Sequence, residues 1–190
     1  PASVFDLAGS YSIEREQALQ HEIASDISAA AAAVLFLLAA LWLPWWQAWL
    51  VAGAVGLASP LLSTASRTLW NQTWGVLLGS ILLLLFARSH KLRCPLPVFW
   101  TATCMAWLYF CRPALITQVA VTGVYLLWRD WRVALRVTAV GLGWGALWLG
   151  WNHWQLTEAL PNYYQHAKLG TGSWLLALQG VLISPSRGLF

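Results

Sequence analysis

Long stretches without Asp, Glu, Lys or Arg dominate the hydrophobic pattern of this chain. They cover residues 27–66, 68–87, 94–111, 113–128 and 137–157. Because an α-helix rises about 1.5 Å per residue, roughly 20 apolar residues are enough to cross the hydrocarbon core of a bilayer. The pattern therefore predicts an all-α, polytopic transmembrane helical bundle.

Turn residues divide these stretches into about six predicted spans. The first two, about 27–43 and 48–62, form a helical hairpin around Pro44. The other four are about 74–87, 95–111, 114–128 and 133–151. Because the fourth and fifth spans are short, we expect half-helices or a kink where Arg112 and Pro113 separate them.

Two polar segments flank the predicted spans. Residues 13–27 predict an amphipathic helix that lies on the membrane surface and precedes the first span. Towards the other end, 172–190 is interrupted by Gly, Ser and Pro, which favours a re-entrant or interfacial helix.

The predicted organisation is a single partial transmembrane domain over the 190 residues. It consists of an external segment at 1–26, the spans within 27–151 and a second external segment at 152–190. Because the chain starts at Pro1 rather than Met and stops just after a turn, we expect it to be part of a longer polytopic protein.

Basic residues suggest how the bundle is oriented. Two basic clusters, within 88–93 and 129–136, fall on the same side as Pro44 if the six spans alternate in direction. Cytoplasmic loops carry an excess of Lys and Arg, so this side is predicted to be cytoplasmic. The opposite, external side then holds Arg67 and Arg112.

The composition narrows the class of protein. Hydrophobic residues make up 59% of the chain and charged residues only 9%, against about 25% charged residues in soluble domains. The chain also has 15 Trp, a residue enriched at membrane interfaces. Several lie at predicted span ends: Trp45, Trp46, Trp128, Trp131, Trp151 and Trp154. We therefore expect membrane lipid as a partner.

Other partners and cofactors find no support in the pattern. The scattered basic residues form no stripe, so no nucleic-acid partner is predicted. The three Cys and four His show no metal-ligand spacing, and we predict neither a metal nor another cofactor.

The predicted external side collects most of the polar residues that carry candidate chemistry. Guanidinium groups at the water–lipid boundary suit phosphate, because their forked donors match its oxygens. The alternative is that each Arg extends to lipid headgroups independently. The candidate substrate-binding residues are Arg67, Trp70, Asn71, Arg112, Tyr163, Tyr164, His166, Lys168 and Arg187.

No catalytic residue is identified with certainty by the pattern. Glu22 and Asp26 are weak candidates for a general base, since a carboxylate near the membrane surface can accept a proton from a hydroxyl or amine acceptor. The alternative is an ordinary solvated face of an amphipathic helix.

Glycine spacing within the spans predicts close helix packing. Gly141, Gly143 and Gly145 lie inside an apolar span, where small residues let helices approach one another. Gly75 and Gly79 show a similar small-residue spacing.

Three short motifs occur in order along the chain. They are 63–72 (Ser-Thr-Ala-Ser-Arg-Thr-Leu-Trp-Asn-Gln), 111–115 (Cys-Arg-Pro-Ala-Leu) and 182–190 (Leu-Ile-Ser-Pro-Ser-Arg-Gly-Leu-Phe). Together they make the chain, from about Asp26 to Phe190, resemble bacterial membrane glycosyltransferases of the GT-C fold. Protein mannosyltransferases and aminoarabinose transferases belong to that group.

The resemblance implies a cell-envelope enzyme of the bacterial inner (plasma) membrane. Such an enzyme moves a sugar from a polyprenyl-phosphate carrier to an acceptor on the external, periplasmic face. By this resemblance, Arg67, Trp70, Asn71, Arg112 and Arg187 line the site of the carrier phosphate and sugar. The family places its essential carboxylate in an external loop after a first span, which implies that this carboxylate lies upstream of Pro1.

Two other functions remain open from the sequence. Short, broken spans near Arg112 are typical of transporters, so a transporter or flippase of an anionic lipid or glycan is the alternative. A non-catalytic assembly subunit is the third hypothesis. The sugar, the acceptor, the oligomeric state and the activity of the partial chain by itself are not determined by the sequence.

Overall fold

The computed structural model describes residues 13–58, 71–111 and 115–156, and at 58, 71–72 and 155–156 it describes the backbone only. Six helices account for almost all of this part of the chain, which contains no strand. They are α1 (Ile13–Ala40), α2 (Trp45–Ala58), α3 (Asn71–Lys91), α4 (Val98–Cys111), α5 (Ile116–Arg129) and α6 (Trp131–Leu156). The predicted all-α class is confirmed for these residues.

Three of the helices are long and apolar enough to cross a membrane. They lie within α1, α3 and α6, at Ile13–Ala40, Thr73–Lys91 and Trp131–Trp154. The other three have 14 residues each over their described lengths, or about 21 Å at 1.5 Å per residue, which is shorter than a typical hydrocarbon core of about 30 Å. The chain is therefore a helical membrane protein, and the number of crossings stays a prediction.

The N-terminal segment differs from the prediction in one respect. Residues 13–27 do not form a separate surface helix, because α1 runs without a break through 28 residues. At about 42 Å, α1 exceeds the thickness of a hydrocarbon core. Its acidic first turns, with Glu14 and Glu16, are favourable at the positive end of the helix dipole.

The turn around Pro44 lies where the sequence predicts it. The N–H of Leu43 donates to the carbonyl of Ala39 at 2.9 Å, which closes the last turn of α1. The carbonyl of Pro44 accepts from the N–H of Ala48 at 3.0 Å, which opens α2. The rings of Phe36 and Trp49, 4.8 Å apart, then join the two helices of the hairpin.

Helices α3 and α5 run in the same direction, with α4 packed against them. Gly75 faces Leu115, Gly79 faces Gln118, and the ring of Phe86 lies 5.5 Å from that of Tyr125. Buried Leu82, Cys104 and Leu108 form the shared core of α3 and α4. Cys104 is thus a small core residue.

A second buried cluster joins α4, α5 and the first part of α6. It contains Ala102, Leu126, Ala134 and Val137. Farther along α6, the indole Nε1–H of Trp144 donates to Thr103 Oγ1 at 2.9 Å. Since that N–H is satisfied inside the bundle, Trp144 connects α6 to α4.

The chain divides into two compact units after Gly145. The described part of the second unit, 146–156, is the end of α6, where the rings of Trp151 and Trp154 lie 5.2 Å apart. Both side chains are exposed, as are Trp45 and Trp128 in the first unit. Such large exposed rings at helix ends fit the bilayer interface.

Candidate functional site

The first turns of α3 meet the start of α5 at one end of the bundle. A Cβ built on Gly75 would lie 2.8 Å from Cδ1 of Leu115, closer than real side chains come. A Cβ here would force the tip of the Leu115 side chain to move, so the glycine lets Leu115 lie directly against the backbone of α3. We call residues 71–75 and 115–116 the motif end.

The motif end lies beside two of the three sequence motifs. The first motif, 63–72, runs directly into α3, and the second motif, 111–115, connects α4 to α5. Gly75 and Leu115 therefore bring together the described parts of the chain that adjoin or end the two motifs.

Most predicted site residues cannot be placed more closely than this. Asn71 is the first residue of α3, and its backbone alone is described. The others lie outside the described residues: Arg67, Trp70, Arg112, Tyr163, Tyr164, His166, Lys168 and Arg187.

The two candidate carboxylates lie on the uncovered side of α1. Glu22 and Asp26 are exposed, whereas neighbouring Ala24 and Ile27 are buried. Farther along, Ala31 packs against Leu77 of α3. Exposure is compatible with a general base and with a solvated helix face, so the role of the two acids stays a prediction.

A partly open cavity of about 260 Å³ lies at the other end of α3. We call it the basic pocket. Its lining residues are Ser89, Cys94, Pro95, Leu96, Val98, Leu126, Arg129, Asp130, Val133 and Arg136. They come from the end of α3, the α3–α4 connection, the start of α4 and the α5–α6 junction.

Ser89 holds the α3–α4 side of the basic pocket in place. Its side chain is buried, and Oγ donates to the carbonyl of Cys94 at 2.8 Å. Arg93 between them has φ 50°, the left-handed region that non-glycine residues rarely adopt. The hydrogen bond supports this sharp reversal of the chain between α3 and α4.

Asp130 shapes the opposite wall. Its extended backbone, with φ −160° and ψ 100°, ends α5. Its Oδ1 accepts from the N–H groups of Arg132 at 2.9 Å and Val133 at 3.4 Å. A carboxylate in this position caps the first turn of α6 and interacts favourably with the helix dipole.

The charged groups of the basic pocket are two guanidinium groups and one carboxylate. Arg129 donates from Nη1 to the hydroxyl of Tyr125 at 3.2 Å, which holds it along α5. Arg136 is exposed on the second turn of α6. Two guanidinium groups against one carboxylate leave the charged part of the lining net positive.

The basic pocket confirms that the basic clusters at 88–93 and 129–136 share one end of the bundle. From the sequence, these clusters predicted only the orientation of the bundle, and the cavity between them was not predicted. The order of the helices could have indicated this cavity. The two helices α4 and α5 lie between the clusters, so the chain returns to the end of the bundle from which it started.

Inside the helices, several polar side chains bond to their own helix. Ser80, Thr103 and Thr122 each donate at 2.8 Å to the carbonyl four residues earlier. Among the described residues, no group of three or more His, Cys, Asp or Glu could hold a metal ion.

The glycine prediction is right in one place and wrong in another. A Cβ on Gly79 would lie 3.1 Å from Nε2 of Gln118, so α3 is closely packed at both of its predicted small residues. No described atom lies within 4 Å of a Cβ built on Gly141, Gly143 or Gly145. In the described part of the chain, these glycines of α6 make no close helix contact.

Comparison of the chain with protein-family models, with curated protein sequences and with solved structures finds no significant match.

Proposed function

We propose that this chain forms part of a membrane glycosyltransferase that moves a sugar from a polyprenyl-phosphate carrier to an acceptor at the external face. The three ordered motifs and their resemblance to GT-C enzymes suggest this reaction. The observation that carries it is the contact of Gly75 with Leu115. Each of these residues is close in sequence to a motif arginine, Arg67 or Arg112.

The chemistry explains why such arginines matter. A lipid-linked donor has an activated anomeric carbon and a phosphate leaving group. Guanidinium groups placed at the phosphate stabilise the negative charge that develops as the sugar–oxygen bond breaks. The acceptor hydroxyl or amine loses its proton to a base, which the resemblance implies is a carboxylate in an external loop.

The six-span arrangement belongs to the same proposal. Over their described lengths, α4 and α5 are shorter than a typical hydrocarbon core, so as spans they would need a locally thinner bilayer, and Arg112 and Pro113 lie between them. In a multi-pass enzyme of the bacterial inner membrane, short helices of this kind would bring a polar turn below the outer surface. A lipid-linked phosphate lies at that depth.

The described helices give the transporter alternative only scattered polar side chains, among them Ser28, Thr101 and Asn152, whose buried polar atoms have no hydrogen-bond partner. A transport path needs polar groups that face a substrate at mid-membrane depth. Thr103 and Thr122 instead bond to carbonyls of their own helices, and Thr103 also accepts from Trp144. The transferase is therefore the stronger proposal.

The test is a transfer assay on the intact protein in nanodiscs. Radiolabelled polyprenyl-phosphate mannose and polyprenyl-phosphate aminoarabinose serve as donors, and loss of label from the lipid is measured. We expect Arg112→Ala and Arg67→Ala to lower turnover by at least about a hundredfold, as losing a group that stabilises transition-state charge does.

Arg132→Ala is the matched control. Arg132 is exposed in the first turn of α6, away from the motif end. Its guanidinium carbon lies 5.7 Å from the centre of the Trp131 ring. Its replacement leaves transfer unchanged if the proposal is right. Equal turnover of the wild type and of both motif variants, at matched protein levels, would remove the proposed roles.

A further inference from the structure

We propose that the basic pocket binds a phosphate-bearing anion through Arg129 and Arg136, at a site separate from the transferase site. Gly75 and Ser89 lie on the same helix, and their separation along it is about 21 Å. The basic pocket is therefore near the opposite end of α3 from the motif end. Nothing in the proposed transfer reaction requires it.

Geometry gives the first reason. The cavity measures about 260 Å³, whereas one water in the liquid occupies about 30 Å³. It is thus large enough for a phosphate group and several waters. Its apolar side, with Leu96, Leu126 and Val133, suits the less polar part of a molecule that carries the phosphate.

Charge gives the second reason. Arg129 and Arg136 face one cavity from consecutive helices, and two like charges around one space repel each other. An anion between them removes that repulsion and accepts hydrogen bonds from both forks. The surroundings add to the positive potential through Arg88, Lys91, Arg93 and Arg132.

The bonds inside the basic pocket also favour an anion over a cation. Asp130 is the one carboxylate among its lining residues, and its Oδ1 already accepts from the backbone of α6. The hydroxyl of Ser89 donates to Cys94. Arg129 gives one of its N–H groups to Tyr125 and retains the rest of its donors for a ligand.

A phosphate group can reach the basic pocket from two sources. Basic pockets at the ends of membrane helices bind the headgroups of anionic lipids, and a soluble phosphate compound presents the same group. Two probes separate the sources: phosphatidylglycerol in nanodiscs that otherwise contain phosphatidylcholine, and pyrophosphate added to nanodiscs of pure phosphatidylcholine.

The experiment measures both probes with the full chain. Native mass spectrometry records how much phosphatidylglycerol stays bound after release from the nanodisc, and titration calorimetry records pyrophosphate binding. Retention of the lipid alone identifies a headgroup site, and pyrophosphate binding identifies a site open to soluble phosphates. Either result supports the proposal, and failure of both probes to bind overturns it.

Three variants locate the binding. We expect Arg136→Gln to weaken binding by about tenfold, as expected for a lost charge-assisted hydrogen bond. Arg132→Gln, one turn away and outside the lining, loses only a share of the surrounding potential and should weaken binding far less. Asp130→Asn keeps an oxygen to cap α6 and removes the negative charge, so it should bind more tightly.

Because misfolding would weaken binding, tighter binding by Asp130→Asn would show that the negative charge of Asp130 opposes the anion. Equal losses in Arg132→Gln and Arg136→Gln would mean diffuse attraction to the whole basic surface and would overturn the pocket. A folded Arg136→Gln protein with full binding would also overturn it.

Discussion

The two ends of α3 are built in opposite ways. At the motif end, Gly75 contributes no side-chain atom to the contact, and the side chain of Leu115 fills the space. Near the other end, Ser89 borders a cavity of about 260 Å³ with two arginines in its wall. One end joins segments of the chain, and the other leaves room between them.

This difference indicates different uses of the two ends. A closely packed contact fixes the distance between the segments that follow and precede the motifs, and so favours precise placement of groups in the adjoining loops. An open cavity with convergent donors favours an exchangeable ligand. The following predictions test this comparison, beginning with the largest expected effect.

Replacing Gly75 by Leu should damage the motif end most. The new side chain begins at a Cβ 2.8 Å from Leu115, and overpacking of this kind costs about 1–3 kcal/mol. The free energy of unfolding, measured in detergent by circular dichroism with a mild denaturant, should fall accordingly.

Gly143→Leu is the matched control for this change. A Cβ on Gly143 meets no atom of the described residues within 4 Å, so the new side chain should be tolerated and relieve the entropic cost of glycine in a helix, roughly 0.5–1 kcal/mol. An equal loss of stability in both variants would show that the motif end is not specially packed.

Removing the cap at the basic pocket should have the next largest effect. Asp130→Ala leaves the first N–H groups of α6 without the acceptor that Oδ1 provides, and loss of such a cap costs about 0.5–2 kcal/mol. Asp130→Asn should retain most of the stability because its side-chain oxygen still accepts. Denaturant unfolding of the two variants makes the comparison, and equal destabilisation would contradict the capping role.

A smaller effect is expected midway between the ends. Thr103→Val removes the acceptor for the indole N–H of Trp144, which should cost about 1 kcal/mol. Thr122→Val, whose hydroxyl donates to the carbonyl of Gln118 in its own helix, should cost less. If thermal midpoints of the two variants coincide, the bond between α4 and α6 adds nothing to stability.

The smallest effect should follow from Ser89→Ala. It deletes one hydrogen bond to the carbonyl of Cys94, worth about 0.5–1.5 kcal/mol. The segment around Arg93, where the chain reverses, then loses a contact that holds its conformation. The stability change is measured by denaturant unfolding, and pyrophosphate affinity should fall about twofold as the wall of the pocket loosens. Tighter binding would contradict a supporting role for Ser89.

Length and the absence of charged residues foretold the helices well, because backbone groups inside a hydrocarbon core must form their hydrogen bonds within their own segment. The turn at Pro44 and the break before α5 follow from residues whose backbone preferences are strong. The continuity of α1 could have been foretold, since the acids around Glu22 are compatible with helix and no proline or glycine interrupts residues 13–40.

Side-chain environments were less predictable than elements. The glycines at 75 and 79 differ from those at 141–145 in whether a side chain of another segment lies against them. This depends on how the helices pack, which the residues around each glycine do not determine. The basic pocket likewise needs the Ser89 and Arg136 segments to meet across 47 positions of the sequence (136 minus 89). The candidate residues of the transferase site lie almost wholly outside the described residues and stay predictions.

The most direct test of the account asks whether the segments beside the first two motifs meet. In a protein without native cysteines, Gly75→Cys is combined either with Leu115→Cys or with Gly123→Cys, about two turns farther along α5. After mild oxidation, a gel shift with maleimide-polyethylene glycol counts the free thiols. The account predicts that the first pair forms a disulfide while the second pair stays free; equal behaviour of the two pairs would contradict it.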